Sequence, residues 1–328
     1  MTIQKTERRK KIGCTVLSPR QVLPTVGVLF CMLLFLRNPT IARDAVLRGL
    51  RISATNVIPS VFPFLVFSDL LLSCGGLPNG ATKWMQKLFR LPASGCTAIL
   101  LGWLCGFPVG ARCAATELKQ GPLTQKDAER IVAIASVPSP AFLIGGVGNG
   151  LFGNRTIGLF YYGAAISAAA IVGFLSARRA TEDTLQESRS ELCAPLPNEP
   201  FSLRLTDAVR RSALAALNIC AYIVFFSAIS AAAGAVLSRF GAPAVFSAPI
   251  SCLLELSGGI AEAAALSDPR AATLLCAAAV GWTGFSVHFQ TFSVCDTPSL
   301  RFGRYLLCKG LQAVLCLGFA VLWLSVRG

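Results

Sequence analysis

The stretch Gly106-Phe107-Pro108-Val109-Gly110-Ala111-Arg112, GFPVGAR, interrupts an apolar segment that reads TAILLGWLC over residues 97–105. That run is far short of the roughly 20 residues a helix needs to cross hydrocarbon. It could span only by continuing through GFPVGAR, where glycine permits a tight turn and proline stops a helix. The chain therefore either turns back here or carries a broken helix and an arginine into the membrane.

Composition sets that membrane context. Of 328 residues, 54% are hydrophobic and only 14% charged, with a mean hydropathy of +0.62. Soluble domains are nearer a quarter charged. Apolar runs recur at 22–36, 57–72, 97–105, 131–152, 157–175, 214–237, 271–295 and 305–326, and all but 97–105 can span with their flanks. The net charge of +14 is scattered between these runs and does not line one soluble face. Cytoplasmic loops and lipid headgroups account for it, and nucleic acid is not an expected partner.

The 13 cysteines contain no C-x-x-C pair and lie mostly within apolar runs, as small buried hydrophobes. Neither a disulfide framework nor a metal site is expected. There is no G-x-S-x-G elbow and no Walker A loop, so neither an enzyme with catalytic residues nor an ATP-driven pump is expected, and no cofactor is implied. Six basic residues precede the first apolar run, and no small-residue cleavage site follows Leu36. Residues 1–20 read as a basic cytoplasmic N-terminus and 21–37 as an uncleaved first transmembrane helix.

The chain then repeats itself. DAVLRGLRISATNVIPSVFPFLVFS (44–68) is echoed by DAVRRSALAALNICAYIVFFSAIS (207–230), and LLGWLCGFPVGA (100–111) by CLLELSGGIAEA (252–263). SVPSPAFLIGGVG (136–148) is matched by GWTGFSVHFQTFS (281–293), and each half closes on an apolar helix, 156–177 and 305–327. The halves are 38–177 and 206–328, joined by a polar cytoplasmic linker, 178–205.

Lysine and arginine accumulate in cytoplasmic loops. If every apolar segment crosses, they divide 14 to 15, with no bias. If 96–119 and 247–266 enter and return to the same side, 21 fall inside and 8 outside, with Arg112 in a hairpin. The expected fold is an all-α polytopic membrane protein with about seven crossing helices plus two re-entrant helical hairpins. The halves then form inverted repeats with broken helices at the midplane, an architecture of secondary transporters.

In that arrangement GFPVGAR is a hairpin tip whose backbone N–H groups suit an anion. Gly106, Pro108 and Gly110 shape the tip. Arg112 follows it, facing either substrate or headgroups; its planar guanidinium suits a carboxylate or phosphate. Ser136, Ser139 and Pro140 mark a break in the next helix, where prolines free carbonyls a turn earlier. Gly258 and Gly259 break the second hairpin, and Gly284 and Ser286 the second helix, with Gln290 beyond. Glu255 and the single histidine, His288, are candidates for coupling or proton relay. The bland readings are a snorkelling Arg112, simple kinks and an interhelical hydrogen bond from His288.

The run GFPVGARCAATELKQGPLTQKDAERIVAIASVPSPAFLIGGVGNGLFGNRTIG, with LLELSGGI and GWTGFSVHFQ, resembles sporulation integral membrane proteins of the YlbJ type, in the nucleoside-recognition (Gate) domain superfamily. The resemblance covers about residues 40–325. Gly106, Pro108, Gly110 and Ala111 match the first block, Arg112 stands at a basic position, and Glu255, Gly259, His288 and Gln290 match the second. The chain departs from the family at Ser136-Val137, where asparagines are usual.

The resemblance implies a multi-pass cell-membrane protein, in the outer forespore membrane if the organism sporulates, that carries a small organic anion. Dipicolinate, moving from mother cell toward forespore, is the implied substrate. Membrane lipids and a coupling H+ or Na+ are expected partners, and homo-oligomerisation is left open. A nucleoside or nucleobase carrier is the alternative within transport. A non-transporting sporulation scaffold, using the linker as its surface, is the alternative outside it.

Overall fold

The computed structural model describes residues 19–74, 77, 79–121, 123–178, 200–241, 246–295 and 301–327. The basic residues at 5–11 and most of the linker, 179–199, lie outside the described residues. Those described are helical, with no strand among them.

Helix α1 spans Pro19–Arg37. Helices α2 (Pro39–Ile52) and α3 (Ile58–Ser73) join through a π-helical turn at Ser53–Val57 into one long rod. The short α4 (Lys83–Phe89) leads to α5 (Ala93–Cys105) and α6 (Phe107–Gln120), which pack side by side as a hairpin. Helix α7 (Gln125–Ala135) ends at a break, resumes as a π-helical stretch over Ala141–Leu151, and α8 (Arg155–Ala177) closes the first half.

The second half repeats this order. It comprises α9 (Phe201–Arg239), a hairpin of α10 (Ser247–Leu254) and α11 (Leu256–Ala264), a broken pair α12 (Pro269–Trp282) and α13 (Gly284–Cys295), and a closing α14 (Phe302–Arg327).

Among the described residues, five helices are long and apolar enough to cross a membrane: Pro39–Leu71, Arg155–Ala177, Phe201–Arg239, Pro269–Cys295 and Phe302–Arg327. The pair α4 and α5, bent by 100°, would make a sixth. The sequence suggests about seven. The difference falls on α1, whose apolar part Thr25–Arg37 is shorter, and on 131–152, which the break at Ser136–Ser139 divides. Large apolar side chains such as Leu217, Phe225, Val314 and Leu322 stay exposed, as lipid-facing residues do.

Helix α9 is a ruler for the rest. Its 39 residues rise about 58 Å, and the α2–α3 rod packs along it in the opposite direction. A Cβ on Gly49 would meet Val224 Cα, while Arg204 Nη1 donates to Ser73 O. The α5–α6 hairpin comes from the Phe201 end of α9, where Arg112 and Arg211 share Asp69. The α10–α11 hairpin comes from the Arg239 end, with Ser230 Oγ and Ser251 Oγ 2.8 Å apart. Arms of 13, 14, 8 and 9 residues reach about 12–21 Å, too short to cross 30 Å of hydrocarbon.

Several loops expected on one face do meet at one end of the bundle. Arg130 donates to Phe89 O through Nη2 and to Ser176 Oγ through Nε. Glu129 accepts from Arg301 N–H and pairs with Arg304 (3.2 Å). The ends of α4 and α8 and the starts of α7 and α14 are therefore neighbours.

Candidate functional site

Proline chemistry explains the first helix break. Pro138 and Pro140 bring no N–H, so the carbonyls of Ile134 and Ser136 lose the partner four residues ahead. Val137 N–H turns to Ala135 O (2.9 Å) in place of Ala133 O. All three freed carbonyls find side-chain donors. Trp103 Nε1 donates to Ile134 O (3.0 Å), Lys309 Nζ to Ser136 O (2.8 Å) and Gln312 Nε2 to Ala133 O (2.9 Å). The second half echoes one of these ties, with Trp282 Nε1 donating to Leu253 O at the end of α10 (3.1 Å).

The four breaks meet in pairs. Gly106 has φ +100°, which suits glycine, and a Cβ there would come within 3.3 Å of Ser139 Cβ. Gly284 has φ +78°, and its Cβ would meet Leu256 N at 3.0 Å and Glu255 Cα at 3.3 Å. Each hairpin tip therefore touches the break of its own half's broken helix. Three of the four breaks, at Gly106, Ser139 and Glu255, border one cavity of about 30 Å³, and Pro108 of α6 and Gln290 of α13 line it too. Ile219 and Ile223, from the middle of α9, close its side.

Three polar features face this space. One is the N-terminus of α6, where Gly106, Phe107 and Pro108 present the positive end of a helix. Another is Glu255, 2% exposed, which caps α11 by accepting from Ser257 N–H (2.9 Å) and Gly258 N–H. The third is Gln290, whose Nε2 donates to Ser286 Oγ (3.0 Å) while its Oε1 is buried without a partner. A buried orphan amide oxygen costs about 1–3 kcal/mol, and a ligand with an N–H or O–H would satisfy it.

The remaining candidates stand behind the cavity. Gly110 lies within α6, not at the tip, and lets the hairpin approach α7, since a Cβ would strike Ala135 Cβ at 2.5 Å. Ser136 is buried, its hydroxyl donating to Val132 O (2.6 Å), and Pro140 starts the π-helical stretch. The second hairpin breaks at Glu255 itself. Gly258 and Gly259 are already helical in α11, and Gly259 lets the arms touch at Cys252. His288 is fully buried, with Nδ1 3.3 Å from Tyr305 Oη and its ring 4.6 Å from Trp282. It does not line the cavity.

Arg112 is also displaced from the tip. It sits six residues into α6, about 9 Å beyond Gly106 along the axis. Its Nη2 donates to Asp69 Oδ2 (2.9 Å), and Arg211 Nε donates to the same oxygen (3.2 Å). Asp69 and Lys309 are the residues the sequence reading missed. Each carried a signal: Asp69 is a lone acid in the run 57–72, and Lys309 stands one turn before Gln312 inside 305–326. Among the described residues, no group of three His, Cys, Asp or Glu is placed to hold a metal.

Fold and site together define an all-α polytopic membrane protein in which two hairpins and two broken helices converge on one cavity. The chain is 26% identical to the sporulation integral membrane protein YlbJ of Bacillus subtilis (strain 168), over 90% of its own length and 80% of the relative's. This similarity supports the resemblance to YlbJ-type proteins drawn from GFPVGAR and its flanks. No family model and no solved structure matches it.

Proposed function

We propose that this protein is a secondary transporter of a small organic anion, with dipicolinate, moved from mother cell toward forespore during sporulation, as its leading substrate. The observation that carries the reading is one cavity halfway along α9 that is lined by both hairpin tips and by both broken helices. Broken helices with irregular backbone at depth are how secondary transporters build central sites. Hairpins that come from opposite ends of α9 fit two halves inverted across the membrane. The sporulation role rests on the B. subtilis relative, and it would put the protein in the outer forespore membrane.

The α6 N-terminus is the anion-facing element of this site. A cavity of about 30 Å³ has room for about two waters, not for an aromatic dicarboxylate. Substrate entry then needs the elements around the cavity to move apart. Glu255 would repel an anion unless a proton or cation accompanies it, which is the coupling role proposed for it.

A nucleoside or nucleobase carrier is the second reading. The free polar atom of Gln290 beside Glu255 favours it, because hydroxyls and ring N–H groups would pair with both. Flux into proteoliposomes containing the purified protein decides between them. The anion reading expects saturable dipicolinate uptake, competed by other aromatic dicarboxylates and not by nucleosides. Nucleoside uptake without dipicolinate uptake selects the second reading. Folded protein that moves neither rules out both substrates and shifts the reading to another substrate first and to the non-transporting scaffold second.

A further inference from the structure

Lys309 has a place that the carrier reading does not use. It lies in α14, 1% exposed, and its ammonium donates to Ser136 O (2.8 Å) and to Gln312 Oε1 (2.7 Å). None of the ion pairs among the described residues involves it. Among the described residues, its hydrogen bonds go to two carbonyl-type oxygens, one of them the carbonyl that Pro140 deprives of its helical donor.

That carbonyl stands just past the C-terminus of α7, the negative end of the helix dipole. Freed carbonyls, an amide oxygen and a helix C-terminus are the donor set by which broken membrane helices hold a sodium ion. Here the same oxygens hold a side-chain cation. We infer that the Lys309 ammonium is a built-in cation, occupying from within the chain a site at the first helix break that would otherwise take a free sodium ion. If the protein is a carrier as proposed above, that break then places no sodium requirement on transport.

The test needs no substrate. Wild type, Lys309→Ala and Lys309→Ser are purified in detergent, and their thermal midpoints are measured in sodium chloride against choline chloride. Removing the ammonium leaves Ser136 O and Gln312 Oε1 to an external ion, and serine adds a third oxygen. The expected result is a midpoint that rises by a few degrees with sodium in the variants and does not respond in wild type. Variants that fold only in sodium would support the inference still more directly. It is overturned if wild type and variants respond alike, or if neither variant folds or gains stability in sodium. Flux in wild-type proteoliposomes with sodium replaced by choline tests the consequence for transport. Unchanged uptake agrees with the inference and a strict sodium requirement contradicts it. Absence of any flux would count against the carrier reading alone, with the melting experiment still deciding the site.

Discussion

At the scale of single residues, Asp69 carries more than its one carboxylate suggests. It joins α3 to the hairpin through Arg112 and to α9 through Arg211, and its side chain is 10% exposed. Asp69→Ala leaves Arg112, with a quarter of its side chain exposed, without its acid. The expected loss is about 1–3 kcal/mol, below that of a fully buried pair because solvent screens part of the charge. The double variant Asp69→Ala/Arg112→Met should recover part of that loss, since the less exposed of the two guanidiniums is then gone and Arg211, about half exposed, can be solvated by water. Chemical denaturation in detergent reads both. A double variant no more stable than Asp69→Ala would rule out the ion pair as the cause.

At the scale of elements, close approach of backbone shapes the hairpins. A Cβ on Gly102 would meet Ala135 O at 2.4 Å, and one on Gly110 would meet Gly102 Cα at 2.9 Å. Both obstacles are backbone atoms, and Ala135 Cβ, 2.5 Å from a Cβ on Gly110, is equally unable to move aside. Gly110→Val should therefore push α6 off α5 and α7 and lower stability by about 1–3 kcal/mol or more. Gly163→Ala, in α8 with open space around it, should be near neutral in the same denaturation series. Comparable losses in both would mean that the close approach at Gly110 does not set its cost. GFPVGAR itself was legible as a break from its residue types, because glycine and proline act through local backbone geometry. Its reading as one continuous tip was too broad. The turn is confined to Gly106, and helix resumes at Phe107 because proline is compatible with a first helical turn.

For the whole molecule, the two hairpins reach the centre from opposite ends of α9. This predicts that loops 121–124 and 178–200 label on one membrane face and loops 241–247 and 265–268 on the other. Single added cysteines probed with a membrane-impermeant maleimide would show it. Labelling of all four from the same face would contradict the inverted arrangement of the halves.

Much of this was present in the chain itself. Hydropathy determined the all-helical membrane class, and glycine, proline and repeated order marked where the helices break, because those effects depend on a residue and its near neighbours. Pairing across the bundle was not available there. The repeat aligned by residue type sets Gly106 against Gly258, whereas the structure sets it against Glu255, since a cap can end a helix as well as a glycine can. For Arg112 the sequence left substrate and headgroups open, and it gave no sign of Asp69, 43 positions away, which the fold sets beside it. Lys309 counted as one more base near a cytoplasmic loop until the fold buried it against Ser136 O. Which charge meets which partner is set by packing between distant segments, and only the tertiary structure brings those segments together.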